Sequence, residues 1–258
     1  MIGVFDSGVG GMTVARAIER ALPGRQLIYF GDLARTPYGN KSADAILEYS
    51  VQNTQFLIDH GATVVVVACN SASSVAPEYL RQRFSLPIIE VIRPAIELAL
   101  AEPKTKRIGI IGTTATIRSG IYEQQLKQLA PDVEVYSQAC PLLVPLVEEG
   151  WTRRQETKMI VRRYLQPLRQ RAIDTLVLGC THYPLLKHII QPRIGRRVRI
   201  IDSSEAVAKT LASVALPDYS LAAPASGERN RFFVSDWTPA AAKTAQGIFG
   251  RPVELVKV

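Results

Sequence analysis

The chain has 258 residues, 47% hydrophobic and 21% charged, a composition typical of a globular protein with one large or two small domains. No apolar run approaches the ~20 residues of a membrane helix and no basic-then-apolar leader is visible, so we expect a cytoplasmic protein without a membrane partner. The net charge of +8 comes from basic residues scattered over helix-like segments without interleaved aromatic residues. We therefore expect no nucleic-acid partner.

The three cysteines differ in their surroundings. Their odd number, with no C-x-x-C pair and no zinc-type histidine spacing, disfavours a disulfide framework and predicts no metal site. Cys140 precedes an apolar run, and we interpret it as a small buried hydrophobe. Cys69 and Cys180 each follow an apolar run and precede polar residues. Both are therefore predicted at the carboxyl end of a buried parallel strand.

Two strand signatures recur at nearly one spacing along the chain. The strand ending at Cys69 matches the strand ending at Cys180, and the glycine-turn strand at Ile2 matches another at Ile108. A repeat this long predicts two similar α/β halves rather than a solenoid of short units. Open α/β sheets place their ligand crevice at the carboxyl ends of strands, so halves that face each other bring two cysteines to one cleft.

The alternation of strand and helix patterns predicts two three-layer α/β halves with mainly parallel central sheets, related by a pseudo-twofold axis, with an active site between them. Crossovers at Arg93-Pro94 and at Asp202 to Glu205 divide the chain into a first domain of residues 1–94 with 206–258 and a second of 95–205. We expect the tail, which has no partner in the repeat, to return to the first half after a loop. Predicted strands lie at 2–5, 26–30, 64–67, 86–91, from 108, 133–138, 176–179, 198–201, 232–235 and 253–256. Predicted helices lie at 12–22, 42–60, from Cys69 to about 84, 95–101, up to about 169, after Pro184 and at 238–249.

Three loops at strand ends are candidate ligand sites. The turn from Asp6 to Gly11 suits an anion at a helix N-terminus, although it is neither the dinucleotide fingerprint nor a phosphate loop. The loop at 31–39 has groups able to hold a polar ligand, or it is a tight turn with no ligand role. The second glycine-turn strand leads to Thr113, Thr114 and Thr116, whose hydroxyls suit a carboxylate, while N-capping by Thr116 is the structural alternative.

Two equivalent cysteines favour symmetric acid–base chemistry. A thiolate serves as nucleophile or base. The sequence lacks the groups that would order a histidine behind a single cysteine nucleophile, which argues against a covalent hydrolase. Removing a proton from one face of a carbon and returning one to the other face is racemisation or epimerisation. Asp6 and His182 are placed to assist Cys69 and Cys180, although His182 has a structural alternative. His60 and His188 lie in helical patterns and are interpreted as surface or packing residues.

Motifs spread over nearly the whole chain resemble the glutamate racemases of the aspartate/glutamate racemase family. They are Phe5 to Gly11, Pro37-Tyr38-Gly39, Ala68-Cys69-Asn70 and Gly179 to Pro184. The resemblance implies a cofactor-independent isomerase that interconverts L- and D-glutamate, where bacteria use the D form to build peptidoglycan. It also implies that Cys69 takes the proton from D-glutamate and Cys180 from L-glutamate. No lysine lies in a motif that suggests a pyridoxal Schiff base, so we expect no cofactor.

The same resemblance assigns further roles. Asp6 and His182 resemble the assistants of Cys69 and Cys180, and Glu148 resembles a glutamate that orients the histidine, with Glu149 as the open alternative. Ser71 stands where the family pattern leads us to expect threonine. A homodimer is implied, while activation by a cell-wall precursor is left open. The rivals are a racemase of the same family acting on aspartate and a binding module that lacks catalysis. The residues that resemble the substrate shell are Asp6, Ser7, Pro37, Tyr38, Gly39, Cys69, Asn70, Ser71, Thr113, Thr116, Thr181 and His182.

Overall fold

The computed structural model describes residues 1–213 and 230–258. Across these residues, no helix is both long enough and apolar enough to cross a bilayer. The loop that we predict ahead of the tail strand falls on residues 214–229 and lies outside the described residues.

The strands of the described residues form two sheets. They are β1 (Ile2–Asp6), β2 (Leu27–Gly31), β3 (Val64–Val67), β4 (Ile88–Glu90), β5 (Arg107–Gly112), β6 (Glu134–Ala139), β7 (Thr175–Gly179), β8 (Arg199–Asp202), β9 (Arg231–Val234) and β10 (Leu255–Lys257). The first sheet has the order β10-β9-β2-β1-β3-β4, and the second has the order β6-β5-β7-β8. Every strand pairing found in residues 1–213 and 230–258 is parallel.

Helices connect these strands and cover both faces of each sheet. They are α1 (Met12–Ala21), α2 (Ala43–Asp59), α3 (Asn70–Ser73), α4 (Pro77–Arg83), α5 (Ile92–Leu100), α6 (Thr114–Arg118), α7 (Ile121–Leu129), α8 (Leu143–Glu148), α9 (Gln155–Gln170), α10 (Lys187–Ile194), α11 (Ser203–Ser213) and α12 (Pro239–Phe249). Short 3-10 helices lie at Leu33–Arg35, Tyr38–Asn40 and Tyr183–Leu186.

The strand orders confirm the predicted repeat. The run β2-β1-β3-β4 in the first sheet has the same order as β6-β5-β7-β8 in the second, so β1 corresponds to β5 and β3 to β7. The tail returns to the first half as predicted, because β9 pairs with β2 and β10 pairs with β9. The molecule is therefore built from two similar parallel-sheet halves, of which the first is extended by the tail.

The alternation of side chains along β3 explains the three layers of the first half. Val64 and Val66 lie in the apolar cluster that contains α1, whereas Val65 and Val67 lie in the cluster on the opposite face of the sheet, which includes Leu57 of α2. Successive side chains of a strand point to opposite faces, so an all-valine strand requires a covering layer on each side. In the second half, β7 is shared between two clusters in the same way.

Proline positions account for two boundaries that the sequence predicted wrongly. Helix α5 begins at Ile92 instead of Ala95, because a proline such as Pro94 is tolerated in the first helical turn, whose N–H groups lack intrahelical partners. The single helix predicted between Cys69 and about residue 84 is two helices, α3 and α4. Pro77 starts α4 and cannot donate the hydrogen bond that a continuous helix needs.

The last strand is also shifted, from the predicted 253–256 to 255–257, where Leu255 lies opposite Phe232 of β9. The two predicted domain boundaries, after residue 94 and after residue 205, each fall within the first turn of a helix, α5 or α11. Helix α5 packs over β7 and β8, while α11 contacts both α1 and α5. The division of the chain into domains remains a prediction.

Candidate active site

The candidate site lies where the carboxyl ends of the central strands of the two halves meet. Asp6 ends β1 and Cys69 follows the neighbouring β3, while Thr113 and Cys180 follow the neighbouring strands β5 and β7. The two cysteines thus occupy equivalent places in the two halves. Both are buried, and neither forms a disulfide bond.

The two halves enclose a cavity of ≈ 10 Å³, about the space of one water molecule. Its lining brings together most of the predicted site residues. They are Ser7, Pro37, Tyr38, Gly39, Cys69, Asn70, Ser71, Thr113, Val144, Cys180, Thr181 and His182. Among these lining residues there is no lysine or arginine, so a bound anion must be held by neutral donors and by His182.

Asp6 is a predicted site residue that lies directly behind the lining of the cavity. Asp6 is fully buried, and its carboxylate accepts hydrogen bonds from Gly8 N at 2.9 Å and from Thr181 Oγ1 at 3.1 Å. Because Thr181 belongs to the second half, this contact ties the halves together. Burial raises the pKa of Asp6, and the nearby His182 and the two hydrogen bonds oppose the rise.

His182 links the second cysteine to a carboxylate. Its Nδ1 lies 3.9 Å from Cys180 Sγ, and its Nε2 lies 3.2 Å from Glu148 Oε1. Burial lowers the pKa of His182, but hydrogen bonds and negative charge on Cys180 and Glu148 outweigh burial and raise this pKa to about 10. Of the two predicted glutamates, Glu148 makes the contact, whereas Glu149 is exposed to solvent.

Cys69 has a different environment. Its Sγ lies 3.7 Å from Ser7 Oγ. Burial raises the pKa of Cys69 to about 12, with a further contribution from the negative charge of Asp6. This thiol therefore stays protonated at neutral pH, whereas Cys180 has the imidazole of His182 as its neighbour, with Nδ1 3.9 Å from its Sγ.

A cluster of hydroxyls joins the halves on another side of the cavity. Ser71 Oγ of the first half lies 2.8 Å from Thr113 Oγ1 and 3.4 Å from Thr116 Oγ1 of the second. Thr113 is the N-cap of α6, accepting from Thr116 N, so the capping role that we considered for Thr116 belongs to Thr113. Thr116 stands behind Thr113 instead of lining the cavity.

The sequence did not predict two features of the site, the place of Val144 in the lining and the contact between Tyr122 and Asn70. Val144 of α8 lines the cavity, but an apolar residue in an apolar run carries no functional signal. Tyr122 of α7 donates to the Asn70 carboxamide Oδ1 over 2.7 Å. The amide nitrogen of Asn70 is buried and has no partner among the described residues.

Hydrogen bonds and an ion pair around Asp32 stabilise the loop that carries Tyr38 and Gly39. The Tyr38 hydroxyl donates to the buried carboxylate of Asp32, and Asn53 Nδ2 donates to the same hydroxyl at 3.0 Å. Arg35 Nε lies 2.6 Å from Asp32 Oδ2. Burial, followed by the charge of Asp32, raises the pKa of Tyr38, so its hydroxyl remains a donor.

The other candidates lie apart from this site. Cys140 is buried, as predicted, and does not line the cavity. His60 stacks on Phe56, and His188 is exposed, which confirms their packing and surface roles. Within residues 1–213 and 230–258, no group of three or more His, Cys, Asp or Glu side chains is arranged to hold a metal ion.

Comparison with known proteins places this geometry in a family. The family model described as Asp/Glu/Hydantoin racemase matches residues 2–211. The chain is 48% identical over 236 residues to the glutamate racemase of Geobacter metallireducens, covering 91% of this chain and 87% of that protein.

Solved structures agree. The glutamate racemase of Francisella tularensis in complex with D-glutamate has a TM-score of 0.90 and 33% identity, covering 100% of this chain and 96% of that one. Escherichia coli glutamate racemase in complex with L-glutamate and the activator UDP-MurNAc-Ala has a TM-score of 0.81 and 30% identity, covering 99% and 96%. The chain therefore belongs to the Asp/Glu/Hydantoin racemase family, and the three relatives described above are glutamate racemases.

Proposed function

We propose that this protein is an isomerase that interconverts L- and D-glutamate without a cofactor, using Cys69 and Cys180 as a pair of acid–base groups. The observation that carries the proposal is the placement of the two thiols: they follow equivalent strands of the two halves and line one closed cavity. Two thiols in equivalent places suit racemisation, because the forward and reverse reactions each need one group to remove a proton and another to return one.

In the proposed reaction, the thiolate of one cysteine removes the α-proton of glutamate and becomes a thiol. The C–H electron pair passes to the α-carbon and its carboxylate. The thiol of the other cysteine then protonates the opposite face and becomes a thiolate. One proton is taken and one returned, so no oxidant, reductant or further reactant is needed.

The resting charges favour one starting state. His182 carries a proton at neutral pH and stands beside Cys180, while Cys69 remains a thiol. A Cys69 thiol is a proton donor, and the reaction that begins from L-glutamate needs a proton from Cys69. We therefore propose that the resting enzyme is set for L-glutamate, with His182, supported by Glu148, and Asp6 as the assistants of Cys180 and Cys69.

The α-proton is far less acidic than a thiol, so the site must lower the barrier by roughly 10 kcal/mol or more. We propose that fixed donors on the substrate carboxylates supply this, since donors held in place in a dry site need no reorganisation. The proposed binding residues are the polar groups of the lining, Ser7, Asn70, Ser71, Thr113, Thr181 and His182, with Pro37, Tyr38 and Gly39 shaping one wall and Thr116 supporting Thr113.

The closed cavity implies that the halves move. A volume of ≈ 10 Å³ is far below that of glutamate, so the halves must separate to admit the substrate. Contacts that cross between the halves, such as Thr181 to Asp6 and Ser71 to Thr113, are hydrogen bonds that water can replace. We propose that opening breaks these bonds and that closure around the substrate restores the dry site.

Three further expectations belong to this proposal. We propose that D-glutamate supplies peptidoglycan synthesis in the cytoplasm, that the enzyme is a homodimer, and that a cell-wall precursor regulates it, as the activator in the Escherichia coli complex suggests. Growth dependent on added D-glutamate after loss of the protein tests the first. Sedimentation equilibrium tests the second, and assays with and without UDP-MurNAc-Ala test the third.

The first experiment follows the circular dichroism of L-glutamate and of D-glutamate with purified protein and no added cofactor. Decay of both signals is expected for the wild type and for Cys140→Ser. Cys69→Ser and Cys180→Ser should lose nearly all racemase activity, so the signals should persist with these variants. Full activity of either of these last two variants would overturn the two-thiol mechanism. Aspartate in place of glutamate tests the rival substrate, and exchange of the α-hydrogen with deuterated water tests the non-catalytic rival.

A further inference from the structure

We infer that Tyr122 is a positioning residue that orients the Asn70 amide so that its nitrogen donates to a substrate carboxylate. The inference deepens the proposed function and rests on it. Tyr122 lies on α7 in the second half, while Asn70 directly follows Cys69 in the first half. Their 2.7 Å hydrogen bond therefore crosses between the halves.

The Asn70 amide has one satisfied end and one open end. The side chain lines the cavity and is only 2% exposed, and its Oδ1 accepts the proton of the Tyr122 hydroxyl. Its Nδ2 is buried without a partner among the described residues. An unpaired buried donor is costly, so this arrangement is favourable only if a ligand supplies the acceptor. The oxygen of a carboxylate is such an acceptor.

The direction of the Tyr122 hydrogen bond fixes which end of the amide is open, because the hydroxyl donates to Asn70 Oδ1. Burial, followed by the negative charge of Glu90, raises the pKa of Tyr122 well above its ordinary value, so its hydroxyl keeps a proton to donate. A phenol that donates pairs with the amide oxygen and leaves the amide nitrogen for the substrate. The flipped amide would place its oxygen against the substrate carboxylate, where two acceptors repel.

Because Tyr122 and Asn70 lie in opposite halves, the orientation of the Asn70 amide depends on whether the two halves are closed. Tyr122 is only 3% exposed, and its partner belongs to the opposite half. When the halves separate, the bond breaks and the amide is free to rotate. The donor is therefore correctly oriented only in the closed site, where it contributes to holding the substrate.

The test is Tyr122→Phe in the full chain, assayed for L-glutamate racemisation. We expect KM to rise about three- to tenfold, the effect of one neutral hydrogen bond, with little change in kcat. Tyr183→Phe is the matched control, because it also removes a buried hydroxyl of the second half, one that donates to Cys140 O at 2.9 Å. An unchanged KM in Tyr122→Phe, or an equal rise in Tyr183→Phe, overturns the inference.

A double-mutant cycle separates positioning from general destabilisation. If Tyr122 acts through Asn70, adding Tyr122→Phe to Asn70→Ala leaves KM unchanged. A rise equal to that seen on the wild-type background overturns the inference. Thermal unfolding of each variant shows that the comparison is between folded proteins.

A second variant keeps the inference testable if Tyr122→Phe does not fold. Asn70→Asp retains an acceptor for Tyr122 but offers no donor to the substrate, so its KM should exceed that of Asn70→Ala. A lower or equal KM means that the amide nitrogen does not face the substrate. An inactive wild type overturns the proposed function itself, whereas an active wild type with unaffected Tyr122→Phe overturns only this inference.

Discussion

Glu148 Oε1 lies 3.2 Å from His182 Nε2, and the opposite ring nitrogen of His182 lies 3.9 Å from Cys180 Sγ. A histidine whose far nitrogen is held by a carboxylate has a fixed ring orientation and keeps its proton more tightly. We therefore propose that Glu148 acts on the sulfur through the imidazole without touching the substrate.

We expect Glu148→Gln to lower kcat/KM by about 10- to 100-fold, a part of the full contribution of a proton-transfer group. Steady-state kinetics in both directions provide the measurement. Glu149→Gln is the matched control, because Glu149 is the next residue and is exposed. Equal losses in the two variants would contradict the assignment of Glu148.

Cys69 should resist ionisation. In a Cys140→Ser/Cys180→Ser protein, Cys69 is the remaining thiol, and its pKa of about 12 predicts little thiolate absorbance until the pH is well above 9. The sign follows from its surroundings, since burial and the charge of Asp6 both disfavour the anion. Adding Asp6→Asn removes that charge, so the transition should move to lower pH. A transition near the ordinary thiol value with Asp6 present would contradict this account.

Gly39 should tolerate no side chain. A Cβ at this position would lie 2.6 Å from Thr113 Cβ, across the boundary between the halves. We expect Gly39→Ala to hold the halves apart and lower kcat/KM by about 100-fold, with little loss of stability, because it leaves the core of each half intact. Gly247→Ala is the control: its Cβ would meet nothing within 4 Å in α12, so activity should persist and stability rise by about 0.5–1 kcal/mol. Wild-type kinetics in Gly39→Ala would show that this contact does not limit closure.

Asp32 should matter for stability. Its fully buried carboxylate accepts from Ser235 Oγ at 3.0 Å and from the Tyr38 hydroxyl, and it lies 2.6 Å from Arg35 Nε. Asp32→Ala leaves these donors without their acceptor, so we expect a loss of about 2–3 kcal/mol in denaturant unfolding. Ser235→Ala removes the Ser235 donation to Asp32 and the acceptor of Ala34 N but leaves the ion pair with Arg35, so it should cost less, about 1–2 kcal/mol. Equal stability of the two variants would mean that Asp32 is not the centre of the network.

Much of the fold follows from local pattern. The valines of β3 and the apolar run of β7 predict buried parallel strands, and their matched positions predict two similar halves, because strand burial and chain order are local properties. Helix boundaries at Pro77 and Pro94 were predicted wrongly because proline both breaks a helix and starts one. Whether a given proline breaks a helix or starts one depends on the backbone around it.

The sequence predicted most of the site residues, because polar groups that directly follow an apolar strand are a recognisable pattern. These residues are the two cysteines, Asp6, His182 and the hydroxyl residues. Their convergence on one cavity, and the raised pKa values of Cys69 and His182, depend on burial and on distances between residues far apart in the chain. Glu148 and Glu149 are adjacent, and about 100° of helical rotation decides which one meets His182. Tyr122 carries no local signal, because its role arises only from a partner in the opposite half.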